Sequence, residues 1–231
     1  MIKRLVKKLI DTMGFKLERK DTRDPYSSLA TDLTSEEISL IKSISESKYT
    51  LVSIQRLVAT LLACKYVVKN NIPGDFVECG VWRGGNSILA KKTFESLGSD
   101  KKVYMFDTFK GMTEPTELDI SIQTGANAKQ KYQDNLNESH NEWCYASLQD
   151  VQNNVVASGI DLDSMKFIQG DVLKTLNVKT NLPNEISVLR LDTDWYESTK
   201  KELEVLYPLL ETKGVSYRRL WALGWFAESC R

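Results

Sequence analysis

Apolar positions follow two rhythms along this chain. In residues 50–69, TLVSIQRLVATLLACKYVVK, leucines and valines recur at helical spacing and predict a largely buried helix. Upstream, Thr34-Ser35-Glu36-Glu37 before Ile38 reads as a helix start, a hydroxyl cap with early acids. Asn70 to Asp75 (NNIPGD) is a break. Short apolar runs then take over at 74–78, 103–106 (VYMF), 165–168 (MKFI) and 186–191 (ISVLRL), and each predicts a strand. Helical stretches at 87–96, 148–158 and 198–210 lie between and after them. Residues 21–34 read as a loop, and the polar 113–144 stretch reads as a long insertion or lid. Alternation of this kind predicts an α/β fold, doubly wound around a mostly parallel sheet. In such a sheet, ligands sit beyond the C-terminal ends of the strands.

Composition narrows the class. The chain has 231 residues, enough for a sizeable core, and its 31 basic residues balance 31 acidic ones. No global field points to nucleic acid or to a membrane. No apolar run approaches the ~20 residues of a membrane span. The four cysteines form no CxxC pair, so their spacing indicates neither a zinc site nor a disulfide framework, and a cytoplasmic location is expected. At the N-terminus, Ile2, Leu5, Val6, Leu9, Ile10 and Met13 share one helical face amid lysines and an arginine. That helix would pack on its own domain or a partner subunit, or lie on an anionic membrane surface.

The strand ends carry the candidate chemistry. The first ends in Glu78-Cys79-Gly80, and Gly84-Gly85 opens the following helix. Glycines there let a backbone approach a ligand, and a helix start offers free N–H groups. The spacing is ExGxxxGG, not the GxGxxG that seats a pyrophosphate. Glu78 would repel an anion and accept a cation or zwitterion. The second strand ends in Asp107, placed to hold a ribose hydroxyl pair or to cap the next turn. Asp171 follows the third, within reach of an adenine amine, and Asp192-Thr193-Asp194 follows the fourth. A nucleoside with a positive centre and no phosphate suits this acidic rim, and S-adenosylmethionine is such a ligand. The lone His140 sits in the 113–144 stretch and reads as a surface side chain.

The chain resembles the macrocin-type O-methyltransferases, a branch of the class I S-adenosylmethionine-dependent methyltransferases. The resembling residues are FVECGVWRGG (76–85), FDTFKGM (106–112), SLQDVQNN (147–154), FIQGD (167–171) and LRLDTDWYESTKKELEVLYPLL (189–210). The resemblance implies a Rossmann-like methyltransferase domain at 71–215, after a helical extension (1–70) and before an atypical tail (216–231). It implies transfer of a methyl group to a sugar hydroxyl of a natural product or polysaccharide. It also implies magnesium beside the cofactor, with Asp192 as metal ligand and base. Glu78, Gly80, Gly84, Gly85, Asp107 and Asp171 would bind the cofactor. Self-association into a homo-oligomer is implied as well.

One departure lies near the C-terminus. Where the family continues with an apolar strand and Asp-Asp-Tyr, the chain reads Ser216-Tyr217-Arg218-Arg219-Leu220-Trp221. Suitable codons for Ser216–Trp225, read one base later, give Leu-Ile-Asp-Asp-Tyr-Gly-His-Trp-Val. The expectation is a frame-shifted segment from about 213–216 onward, with the sheet's last strands incomplete, the metal site incomplete and activity impaired. Two other readings stand beside this one. A nucleotide-binding oxidoreductase lacks its GxGxxG here, and a non-catalytic cofactor-binding or scaffold remnant would keep the fold alone.

Overall fold

The computed structural model describes Tyr26, residues 32–120, Gly125 and residues 127–218. The N-terminal amphipathic stretch and residues 219–231 of the tail lie outside the described residues. The described residues from Ser35 onward form one compact unit.

Among the described residues five strands make the sheet: β1 (Asp75–Cys79), β2 (Val103–Asp107), β3 (Met165–Gln169), β4 (Ile186–Leu191) and β5 (Leu210–Arg218). Their order is β3-β2-β1-β4-β5, and every neighbouring pair is parallel. Parallel strands need crossover connections, and helices supply them. Helices α1 (Ser35–Glu46) and α2 (Ile54–Lys69) precede β1, and α3 (Gly85–Ser96) follows it. The short α4 (Lys129–Asp134) and α5 (Leu148–Ala157) separate β2 from β3. The four-residue α6 (Val172–Thr175) follows β3, and α7 (Tyr196–Leu206) follows β4.

Strands buried on both faces read as continuous apolar runs, and all six residues of β4 are buried. On one face, Val77, Cys79, Phe106, Leu189 and Leu191 pack with Val172, Leu176 and Leu206 from α6 and α7. Helices α2 and α3 lie on the other face, with Leu57, Leu61, Cys64 and Phe94 fully buried.

Two helix limits differ from the sequence reading. The helix expected from 50 begins at Ile54, with Ser53 extended at its N-cap. Helix α7 covers 196–206 rather than 198–210, because Pro208 sits in a 3-10 turn and the chain then enters β5. Among the described residues β5 has a neighbour on one side only, so it forms the sheet's edge.

Candidate active site

The strand order reverses between β1 and β4, and that switch point is where an α/β sheet binds its ligand. The register sets Glu78 of β1 directly beside Arg190 of β4, and Arg190 beside Tyr217 of β5. Side chains of neighbouring strands in register share a face, so a polar row crosses the sheet just below the cavity. Arg190 Nη1 donates to Glu78 Oε1 at 2.5 Å, and its Nη2 donates to Asp192 Oδ2 at 2.8 Å. Ser87, at the start of α3, donates its hydroxyl to the other Glu78 oxygen. Tyr217 Oη donates to Thr60 Oγ1 at 2.9 Å, closing the row against α2.

Glu78 and Arg190 are almost fully buried, at 1% and 3% exposure. Burial pushes the Glu78 carboxyl up to about 7, against the opposing pull of the Arg190 guanidinium and the Ser87 hydroxyl. One guanidinium thus holds two carboxyl groups.

Asp107 fastens the loops around it. Its Oδ2 accepts from the Val81 and Trp82 N–H groups at 2.7 and 3.0 Å. Its Oδ1 accepts from Phe109 N–H at 2.8 Å and, more weakly, from the Thr108 hydroxyl at 3.3 Å. Those donors fill the acceptor sites of one carboxylate. Burial raises the Asp107 pKa, and the four donors oppose it.

The cavity has an empty volume of about 900 Å³, open solvent at its mouth included. Glu78, Gly80, Asp107, Asp171 and Asp192 all line it. Gly84 and Gly85 do not. A Cβ on Gly84 would meet Val151, Met105 and Ile88, and one on Gly85 would meet Tyr49 O at 2.7 Å. Both glycines let α3 start close to its neighbours. Gly80 has φ +82°, and a Cβ there would stand 2.6 Å from Asp192 O. Gly80→Ala is expected to lose about 2–4 kcal/mol in urea unfolding, from backbone strain and this clash together.

The wall opposite Glu78 comes from the 113–144 stretch and the turn after β4. That stretch leaves at Lys110–Met112 and returns at Asn141–Trp143, with Asn141 N–H donating to Lys110 O and Met112 N–H to Trp143 O. Trp195 packs edge-on to Trp143, and its indole N–H donates to Thr113 O at 2.9 Å. Tyr196 N–H donates to Asp119 Oδ1. Asp171 caps α6 through Leu173 N–H and faces the cavity's far end. His140 lies in this stretch, stacked on Tyr145 and contacting Glu142, and does not line the cavity.

Magnesium does not fit the described residues. Among them, no three His, Cys, Asp or Glu side chains cluster as a metal site. Asp192, the expected ligand, is held by Arg190, and the register sets Arg218 beside Leu191. Cations in those places oppose a metal.

Arg190 escaped the sequence reading. Its signal was present: one arginine inside the apolar run ISVLRL must find a buried partner. Leu51 and Val52 were assigned to a helix but form a loop on the cavity wall.

Comparison with known proteins identifies the family. The family described as Macrocin-O-methyltransferase (TylF) matches residues 12–217. The 8-demethyl-8-(2,3-dimethoxy-alpha-L-rhamnosyl)-tetracenomycin-C 4'-O-methyltransferase of Streptomyces olivaceus is 32% identical over 167 residues, 72% of this chain and 60% of that protein. Mycinamicin III 3''-O-methyltransferase of Micromonospora griseorubida is 29% identical, over 72% of this chain and 62% of that protein. The chain therefore spans about three fifths of the length of these curated relatives. The solved O-methyltransferase NovP superposes with a TM-score of 0.63 at 28% identity, over 74% of this chain and 66% of NovP. Calicheamicin methyltransferase CalS11, at 15% identity and a TM-score of 0.54, shares the fold. The family match runs through every strand and through the whole rim of the cavity, and this chain belongs to the macrocin O-methyltransferase family.

Proposed function

We propose that the cavity binds S-adenosylmethionine, and that the chain directs its methyl group to a hydroxyl of a sugar-containing small molecule. One observation carries the reading: Glu78, Asp107, Asp171 and Asp192 converge on a single cavity at the switch point of the sheet. An acidic wall of this kind favours a sulfonium and an ammonium over a pyrophosphate. The rhamnosyl group in the name of the tetracenomycin relative supports a glycoside as acceptor.

When bound, S-adenosylmethionine supplies an electrophilic methyl on a sulfonium sulfur. Glu78 lies beneath the methionine end, held in place by Arg190 and Ser87. Asp107 shapes the ribose side by tying Val81, Trp82 and Phe109 to one carboxylate. Asp171 lies at the adenine end. Asp192 lines the cavity and is the candidate base for the acceptor hydroxyl's proton. Trp195 and Met112 offer apolar surface on which a sugar ring can stack. No step is assigned to a metal.

Calorimetry with S-adenosylhomocysteine at pH 7 tests the reading. Saturable binding with a Kd below ~100 µM is expected, unchanged by EDTA or added magnesium. Heats no larger than dilution at that concentration would sink it. A second reading is favoured by Arg190's grip on Asp192: the cofactor is bound but its methyl is not passed on. Binding without turnover of any glycoside would select it.

A further inference from the structure

Glu202 is an acid with no exposure at all, on the second turn of α7, and the chemistry above does not use it. Its Oε1 accepts the Thr193 hydroxyl at 2.6 Å, while Oε2 is buried with no hydrogen-bond partner among the described residues. Burying a carboxyl group this way is unfavourable unless something is gained. Cys79, Asp192 and Arg218 are the titratable groups that face it, from the ends of β1, β4 and β5. Burial raises its pKa to about 8, with the Thr193 hydroxyl and Arg218 pulling the other way.

The contact falls on the turn that joins β4 to α7. Asp192 N–H donates to Cys79 O at 2.8 Å, which ends the strand ladder. At the start of α7, Tyr196 N–H donates to Asp119 Oδ1. Two side chains of the turn also tie it to its surroundings. Trp195 ties it outward to Thr113, and Thr193 ties it inward to Glu202. Asp192, Thr193 and Asp194 all line the cavity.

We propose that Glu202 is a positioning residue, which fixes the Asp192–Asp194 turn by accepting the Thr193 hydroxyl proton and so sets the wall against which a nucleoside sulfonium binds. This deepens the methyl-donor reading and rests on it for the ligand. The turn itself can be tested without any ligand.

Hydrogen–deuterium exchange on the full chain reads the turn directly. In Glu202→Met, exchange over residues 192–199 is expected to rise about tenfold, with β1 and β4 unchanged. Thr193→Val should do the same, and the double variant should add nothing. Glu202→Gln, whose amide oxygen still accepts, should restore parental rates. The Kd for S-adenosylhomocysteine should weaken about tenfold in the Met and Val variants and stay within about twofold in the Gln variant. Urea unfolding separates this role from a merely structural one. Glu202→Met should be at least as stable as the parent, because an apolar side chain replaces a buried acid. Parental exchange at 192–199 in both Glu202→Met and Thr193→Val overturns the proposal. Loosening of the turn in a chain that does not bind S-adenosylhomocysteine would leave the positioning role standing and remove the methyl-donor reading.

Discussion

Arg190→Met is expected to lose about 3–5 kcal/mol of folding stability at pH 7, and with it binding of S-adenosylhomocysteine. The guanidinium touches Glu78 and Asp192 at 2.5 and 2.8 Å, and both it and Glu78 are buried. Removing it leaves two carboxylates facing each other with their counter-charge gone. The Glu78 carboxyl, already raised to about 7 by burial, would rise further. The deficit should therefore shrink as pH falls, because the fold can then keep Glu78 neutral. Urea unfolding at pH 5 and pH 8 measures this. A loss below ~1 kcal/mol at pH 8 would show that the buried array contributes little.

Glu202→Gln should stabilise the protein, and only on the alkaline side. In the unfolded chain Glu202 releases its proton near 4.5, whereas the fold retains it up to about 8. The unfolded state is therefore favoured progressively as pH climbs from 4.5 to 8, and the penalty is constant above that. Burial is the first cause of the shift, ahead of the opposing Thr193 and Arg218 contributions. The full effect is on the order of 5 kcal/mol at most. The Gln variant should match the parent near pH 4.5 and exceed it by about 2–4 kcal/mol at pH 9. Parallel stability curves across that range would mean that Glu202 is ionised and matched in the fold.

What the sequence revealed depended on how locally each feature is encoded. ISVLRL announced a strand because all six of its positions are covered, whereas MKFI, at the other edge of the sheet, buries only Met165 and Ile168. The helix expected at 148–158 begins behind Ser147, whose capping box with Asp150 is encoded by residues only three apart. TLV at 50–52 was misplaced because periodicity alone cannot separate a first helical turn from a loop that packs. Pro208 was the available warning against extending α7 to 210.

The acids were legible as a set, and the cavity gathers them. Their individual partners were not. Glu78 and Arg190 are 112 residues apart, and only strand register makes them neighbours. Nor does FDTF reveal that four donors already point at Asp107. Gly84 and Gly85 read as a ligand-facing pair, but neither lines the cavity: Gly84 turns the chain at φ +90°, and Gly85 lets α3 approach the Tyr49 backbone. The magnesium expectation came from resemblance, and the described donor set does not carry it.

Trp195 couples access to readiness. Its indole is bonded to Thr113 and packed on Trp143, and Tyr196 is bonded to Asp119. Any displacement of Thr113 or Asp119 must therefore break one of these hydrogen bonds or carry the turn after β4 with it. The position of Asp192–Asp194 is thus set by distant residues as well as by the strand they follow.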